Sequence, residues 1–176
     1  MKENTLSGLK FEPLGTHDRA AFSCGTEALD NYLKKQASQD VKRNAAAVYV
    51  ATVDGRTILG YYTLSQYSIE MKDIPEIIAR KFAKYQNVSA TLLGRLARDI
   101  STKGTRFGEL LLMDALFRAF KMSKQIASAA IVVDAKDEKA AKFYKNYGFV
   151  EFPGIEKKLF ITMATVEKLF PAFTTV

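Results

Sequence analysis

Residues 90–112 read "ATLLGRLARDI" and then "STKGTRFGELLL", and this stretch decides the fold. Its first part is an apolar run of strand length. Its middle is a short polar loop with Gly104 and Gly108 around Arg106, and its end is leucine-rich. A strand that turns tightly into a helix gathers backbone N–H groups at the helix start, where the helix dipole adds partial positive charge. Lys103 and Arg106 add formal charge to the same turn. Taken alone, these residues suit an anion site and a plain strand-to-helix connection equally. The spacing is not G-x-G-x-x-G, and G-x-x-x-x-G-K-[ST] is absent, which argues against a nucleotide hydrolase.

Downstream of the loop, residues 108–122 are apolar on most faces, as a helix covered by other layers would be. "IASAAIVVDA" (126–135) predicts a buried strand. "DEKAAKFYKNYG" (137–148) predicts a helix with acids in its first turn and Gly148 as its stop, and "KKLFITMATV" (157–166) a last strand before a short helix. Upstream, "LKFEPL" (9–14) alternates like a strand. Residues 25–44 predict one long helix capped by Thr26, with Leu29, Tyr32, Leu33 and Ala37 as its apolar stripe. Asp54-Gly55 between two β-rich runs signals a hairpin, and Pro75 opens a short helix over 75–86. With no repeat or linker, the order predicts a single α/β domain over residues 1–176, a mixed sheet with helices on its faces.

Composition narrows the function. The 176 residues are 48% hydrophobic and 26% charged, as in a soluble globular protein. No run approaches a membrane span, and "MKENTLSGLK" lacks the apolar centre of a signal peptide, so no membrane association is expected. The single cysteine, Cys24, excludes an internal disulfide and a cysteine metal cluster, and the chain reads as cytoplasmic with no metal. The net charge of +7 favours acidic partners such as nucleic acid or a phosphorylated cofactor, although surface lysines more often serve solubility.

The stretch "LLGRLARDISTKGTRFGELLLMDAL", followed by "VVDAKDEKAAKFYKNYGF", resembles the GNAT superfamily of acetyl-CoA-dependent N-acetyltransferases. More narrowly it is similar to the TacT-type toxins of bacterial toxin–antitoxin pairs. "FSCGTEALDNYLKKQASQD" and "GYYTLS" carry the same likeness, which covers most of residues 9–166 in order. It implies the GNAT-like fold, a mostly antiparallel mixed sheet with one splayed strand. In such proteins a Q/R-x-x-G-x-G/A segment holds the diphosphate of coenzyme A on backbone amides. Here Lys103 stands at its first position, Arg106 at its first glycine and Gly108 at its last, so two of three signature positions depart. The implied diphosphate loop is Lys103, Gly104, Thr105, Arg106, Phe107, Gly108 and Glu109, with Glu109 also suited to complement the helix dipole. An arginine forced to positive φ at position 106 would cost about 1–2 kcal/mol. At negative φ its guanidinium is free to grip phosphate bidentately, so Arg106→Gly is expected to alter acetyl-CoA affinity.

The resemblance further implies that Leu96, Ala97 and Arg98 pair their backbone with the pantetheine arm and that Tyr144 protonates the departing thiolate. A phenol of pKa near 10 is protonated at neutral pH, as that role requires. By periodicity, Phe143 and Tyr147 in line with Ala140 are the core-facing residues, which leaves Tyr144 on another face. Asp137 stands where many relatives carry a cofactor-facing asparagine, and its residue type favours a helix N-cap. His17, the only histidine, reads as a loop or surface residue and Cys24 as a small residue in a helix-entry turn. No strong base is evident. An α-amino group, with pKa about 7.7–8.0, needs none, which favours it over a lysine as acceptor.

TacT-type toxins acetylate the amino group of the amino acid on charged tRNA and so block translation. The expected phosphate contacts are Lys34, Lys35, Lys42, Arg43, Lys142 and Lys145. The resemblance also implies a ribbon-helix-helix antitoxin and a homodimer. Two alternatives stay open from sequence: acetylation of a small amine or protein N-terminus, and a non-catalytic binding module.

Overall fold

Two compact units divide the chain in the computed structural model, which describes residues 6–173. The reading of "MKENT" at the start, and the outer limits of the expected domain, lie outside the described residues. Residues up to Ser65 with Gly94–Ala115 form one unit, and Gln66–Leu93 with residues from Leu116 onward form the other.

In the first unit, β1 (Lys10–Pro13) pairs antiparallel with β2 (Ala47–Thr52), Lys10 opposite Thr52. β2 pairs antiparallel with the first half of β3 (Gly60–Glu70), Ala47 opposite Leu64. Both faces of β3 are covered from Gly60 to Leu64, so apolar and aromatic residues run there without alternation. The connection over residues 53–59 is longer than a two-residue turn. The Asp54 carboxylate organises it by accepting from the Arg56 and Thr57 amides and from the Thr52 and Thr57 hydroxyls, which holds that carboxyl far below its ordinary range.

The helix expected over 25–44 is interrupted. α1 (Glu27–Asn31) passes into a π turn (Tyr32–Gln36) and then α2 (Ala37–Lys42). Thr26 has the extended N-cap backbone, but its side chain accepts no capping bond. The wider turn brings Tyr32, Leu33 and Ala37 together into the core with Phe22, Val50 and Tyr61.

The second unit holds α3 (Glu76–Ala79), β5 (Ala130–Asp134), α5 (Glu138–Lys145), β6 (Val150–Glu151), β7 (Lys158–Thr162) and α6 (Met163–Leu169). β5 and β7 pair antiparallel, Ala130 opposite Thr162, and β6 lies beyond β7. Ile69, Val88, Val132, Phe152 and Phe160 form its core. β6 escapes the sequence pattern because it is two exposed residues long. Three elements run through both units: β3, β4 (Asn87–Arg98) and α4 (Phe107–Ser123). The strand order is β1-β2-β3-β4-β5-β7-β6, antiparallel in the registered pairs except for β4 with β5. This is the mixed, mostly antiparallel sheet expected from the sequence.

Candidate active site

β4 positions the first half of the site. Its parallel register with β5 consists of Thr91 with Ile131 and Leu92 with Val132. Beyond Leu92 that edge has no registered ladder partner, although the strand continues to Arg98. The Ala97 carbonyl lies on the β3 side, toward Gly60, so alternation leaves the Leu96 and Arg98 N–H and C=O groups on the other edge, open to an incoming amide-bearing chain as in a splayed strand.

The loop that follows is tightly built. The Asp99 carboxylate accepts from the Ser101 amide at 2.9 Å and from the Ser23 amide at 3.0 Å, while the Ile100 amide donates to the Ser23 carbonyl at 2.8 Å. Burial pushes the Asp99 carboxyl up, but these donors outweigh it and leave it below its ordinary value. The Thr105 hydroxyl donates to the Thr102 carbonyl at 2.6 Å and accepts from the Phe107 amide at 3.2 Å. Phe107, fully buried, anchors the helix start over Gly60, where an added Cβ would stand 2.8 Å from Phe107 Cε1.

Gly104 takes φ +78 with nothing within 4 Å of its Cβ position. Among the described residues, the N–H groups of Gly104 and Gly108 have no hydrogen-bond partner. A Cβ on Gly108 would meet only Arg98, with Cδ at 3.7 Å and Nε at 4.0 Å. The first turn of α4 is thus open to close approach by a ligand, and its chemistry suits an anion.

Arg106 does not have positive φ, so the strained alternative is not realised. Its guanidinium is exposed and bidentate on Glu109, with Nε–Oε2 at 2.6 Å and Nη2–Oε1 at 2.8 Å. The Arg106 carbonyl caps α4 by accepting from the Leu110 amide at 3.2 Å. Lys103 is exposed and extended.

Tyr144 lies in the second unit, on α5. The expectation that Phe143 and Tyr147 face the core is corrected: Ala141 and Tyr144 are the buried residues, and Phe143 and Tyr147 are half-buried. The inward stripe runs from 141 to 144, and the chain reversal at Gly148 (φ +97) sets Phe149 against Tyr144, ring centroids 5.3 Å apart. Burial raises the Tyr144 phenol well above its usual range. Its hydroxyl makes no hydrogen bond to another described residue. Asp137 is an N-cap, accepting from the Ala140 amide at 2.7 Å.

Lys34 and Lys35 project from the π turn, and Lys42 and Arg43 end α2. All four are exposed and free of ion pairs among the described residues. Lys142 is likewise exposed, whereas Lys145 pairs with Glu151 at 2.8 Å. His17 lies in a loop, the first of its two expected placements, but it is buried rather than at the surface, with Nδ1 accepting from the Gly15 amide and Nε2–H donating to Glu12. Cys24 donates its amide to Asp30 at 2.8 Å. Two features passed unread in the sequence: Ser23 bridging to Asp99, and Arg95 stacking on the Tyr32 ring at 3.5 Å. Both pair residues more than sixty positions apart, beyond the reach of local spacing.

No family model matches the sequence. The chain is 33% identical over 168 residues to the probable toxin TacT of Sinorhizobium fredii, covering 90% of this chain and 93% of that protein. It is 32% identical over 152 residues to the tRNA-acetylating toxin of Mycobacterium tuberculosis, covering 86% and 90%. The chain belongs to the TacT-like family of GNAT-fold toxins.

Solved structures of such toxins share the architecture. AtaT complexed with acetyl-methionyl-tRNA matches with a TM-score of 0.85 at 31% identity, over 92% of this chain and 99% of that one. A tyrosine-to-phenylalanine mutant of AtaT, bound to the C-terminus of the antitoxin AtaR and acetyl-CoA, matches with a TM-score of 0.79 at 29% identity, over 93% and 98%.

Proposed function

We propose that this TacT-like protein is an acetyl-CoA-dependent N-acetyltransferase that acetylates the α-amino group of aminoacyl-tRNA and thereby blocks translation. The match to AtaT in complex with acetyl-methionyl-tRNA carries the reading. The residues present suit the cosubstrate: unpaired amides at Gly104 and Gly108, a Gly108 surface open to close approach, and a β4 edge without a ladder partner.

Acetyl-CoA, when bound, supplies an acetyl group activated as a thioester. The roles of this chain's residues follow from their chemistry. The Gly104 and Gly108 amides hold the diphosphate against the dipole of α4, while the Lys103, Thr105, Phe107 and Glu109 amides are spent within the loop and the helix turn. Leu96 and Arg98 align the pantetheine arm by backbone pairing, and Ala97 between them turns its carbonyl to the β3 side. Tyr144 holds a proton for the sulfur that departs as the amine nitrogen bonds to the carbonyl carbon. Its raised pKa keeps the phenol protonated across the physiological range, and the desolvation that raises it also raises the basicity of a thiolate placed there. The acceptor amine sheds its proton to water, because an α-amine of pKa about 7.7–8.0 is partly neutral beforehand. Lys34, Lys35, Lys42, Arg43 and Lys142 are the proposed contacts to tRNA phosphates.

By the same reading a partner antitoxin of the ribbon-helix-helix type covers the toxin, and the toxin works as a homodimer. The deciding experiment offers labelled acetyl-CoA with tRNA bearing its amino acid, the same tRNA deacylated, and free amino acids. Label entering charged tRNA alone is the expected result. Label on a small amine, or none at all, would replace this function with one of the other two readings.

A further inference from the structure

We propose that the Arg98 side chain, rather than Arg106, supplies the cation that meets the diphosphate; this rests on the acetyl-CoA reading above. Two arginines sit near the end of β4 and point to opposite faces, as alternation along a strand requires. Arg95 is committed to the Tyr32 ring on the face where Ala97 joins the core. Arg98 runs the other way, and its Cδ and Nε are the atoms nearest the Cβ position of Gly108, in the first turn of α4.

Arg98 is half-buried, and its side chain makes no hydrogen bond, ion pair or ring contact with another described residue. Asp99, next to Arg98 in the chain, and Glu109, next to Gly108, are already engaged. Glu109 is held bidentately by Arg106, and the Asp99 carboxylate accepts the Ser23 and Ser101 amides. A guanidinium beside the positive end of a 17-residue helix is electrostatically unfavourable unless an anion joins them. The unpartnered Gly108 amide lies at the same place, so a neighbouring pair of phosphates would satisfy the amide and the planar fork together. Arg106, exposed and internally neutralised, would be left to hold the helix start.

Calorimetric titration with acetyl-CoA tests this on wild type, Arg98→Met, Arg98→Lys and Arg106→Ala, with melting curves to verify folding. Arg98→Met keeps a stem against Gly108 and is expected to weaken binding by about 10- to 100-fold, the worth of a charged hydrogen-bonded contact. Arg98→Lys, which keeps charge but loses the fork, should fall between, and Arg106→Ala should stay within about threefold. The Arg98 losses should persist with 3′-dephospho-acetyl-CoA, which retains the diphosphate. Wild-type affinity in both Arg98 variants, a loss confined to the 3′-phosphorylated ligand, or a larger loss in Arg106→Ala would overturn the assignment alone. If Arg98→Met does not fold, Arg98→Lys decides by the same criterion. Failure of the wild type to bind acetyl-CoA would overturn the functional reading, and this assignment with it.

Discussion

Arg106 and Glu109 grip each other through two parallel contacts, Nε–Oε2 at 2.6 Å and Nη2–Oε1 at 2.8 Å, across the first turn of α4. The pair engages a guanidinium that the sequence left free to grip phosphate. The Arg106 carbonyl caps the helix, as any residue's would at that position, and the side-chain charge is answered within the turn. Arg106→Gly is therefore expected to leave acetyl-CoA affinity within about threefold, as exposed ion pairs are weak. Glu109→Gln removes a negative charge from the diphosphate's surroundings and should tighten binding about two- to threefold. Calorimetry on both variants checks this, and a loss well beyond threefold in Arg106→Gly would return Arg106 to the role of phosphate ligand.

Tyr144→Phe removes one oxygen from a ring already packed against Phe143 and Phe149. With no protein hydrogen bond to lose, the melting temperature and acetyl-CoA affinity should be unchanged. Single-turnover acetylation should slow by about 10²- to 10⁴-fold, the usual worth of a positioned acid. A variant that acetylates charged tRNA at the wild-type rate would remove the phenol from the reaction.

Local patterns in the sequence reveal much of this fold, and long-range pairings set the remainder. The strand–loop–helix unit around Gly104 and Gly108 is legible because apolar runs and glycines punctuate it locally. The Asp137 cap and the Gly148 stop are legible for the same reason. The π turn at Tyr32–Gln36 is not, since an i→i+5 turn uses residues that suit an α-helix equally well. Nor is the inward rotation of α5, decided by where Phe149 returns rather than by the helix's own composition. In the site, Arg98 was read only as backbone. Its side chain gains meaning from Gly108, ten residues on, once the loop between them closes.

Gly60 is a steric linchpin of the first unit. An added Cβ would lie 2.8 Å from Phe107 Cε1, 3.1 Å from the Ala97 carbonyl oxygen and 3.2 Å from Leu111 Cδ2. The phenyl ring and the Ala97 carbonyl cannot both yield without moving the start of α4 or the end of β4. Gly60→Ala should cost about 1–3 kcal/mol, read as a lower midpoint in urea. Because Phe107 carries the helix start, acetyl-CoA affinity should fall with it. An alanine variant of unchanged stability would mean that the packing around Phe107 is loose.

Asp99 gives the loop between β4 and α4 a defined dependence on pH. Its carboxyl is held below its ordinary value because, despite burial, the Ser23 amide and the Ser101 donors favour the ionised form. A depressed folded-state pKa adds stability above the unfolded value, about 3.9 for aspartate, and that stability is lost as pH falls through the folded value. Asp99→Asn keeps the shape but removes the charge and replaces one accepting oxygen by an NH2, so at pH 7 it should cost about 1 kcal/mol, the difference between hydrogen bonds to an ionised and to a neutral acceptor. As pH drops below 4 the gap between wild type and variant should close, since protonated aspartic acid holds the amides no better than asparagine does. Urea unfolding of both proteins at pH 7, 5 and 3 measures it. A gap that persists unchanged at pH 3 would show that the ionised carboxylate is not what ties the loop to Ser23.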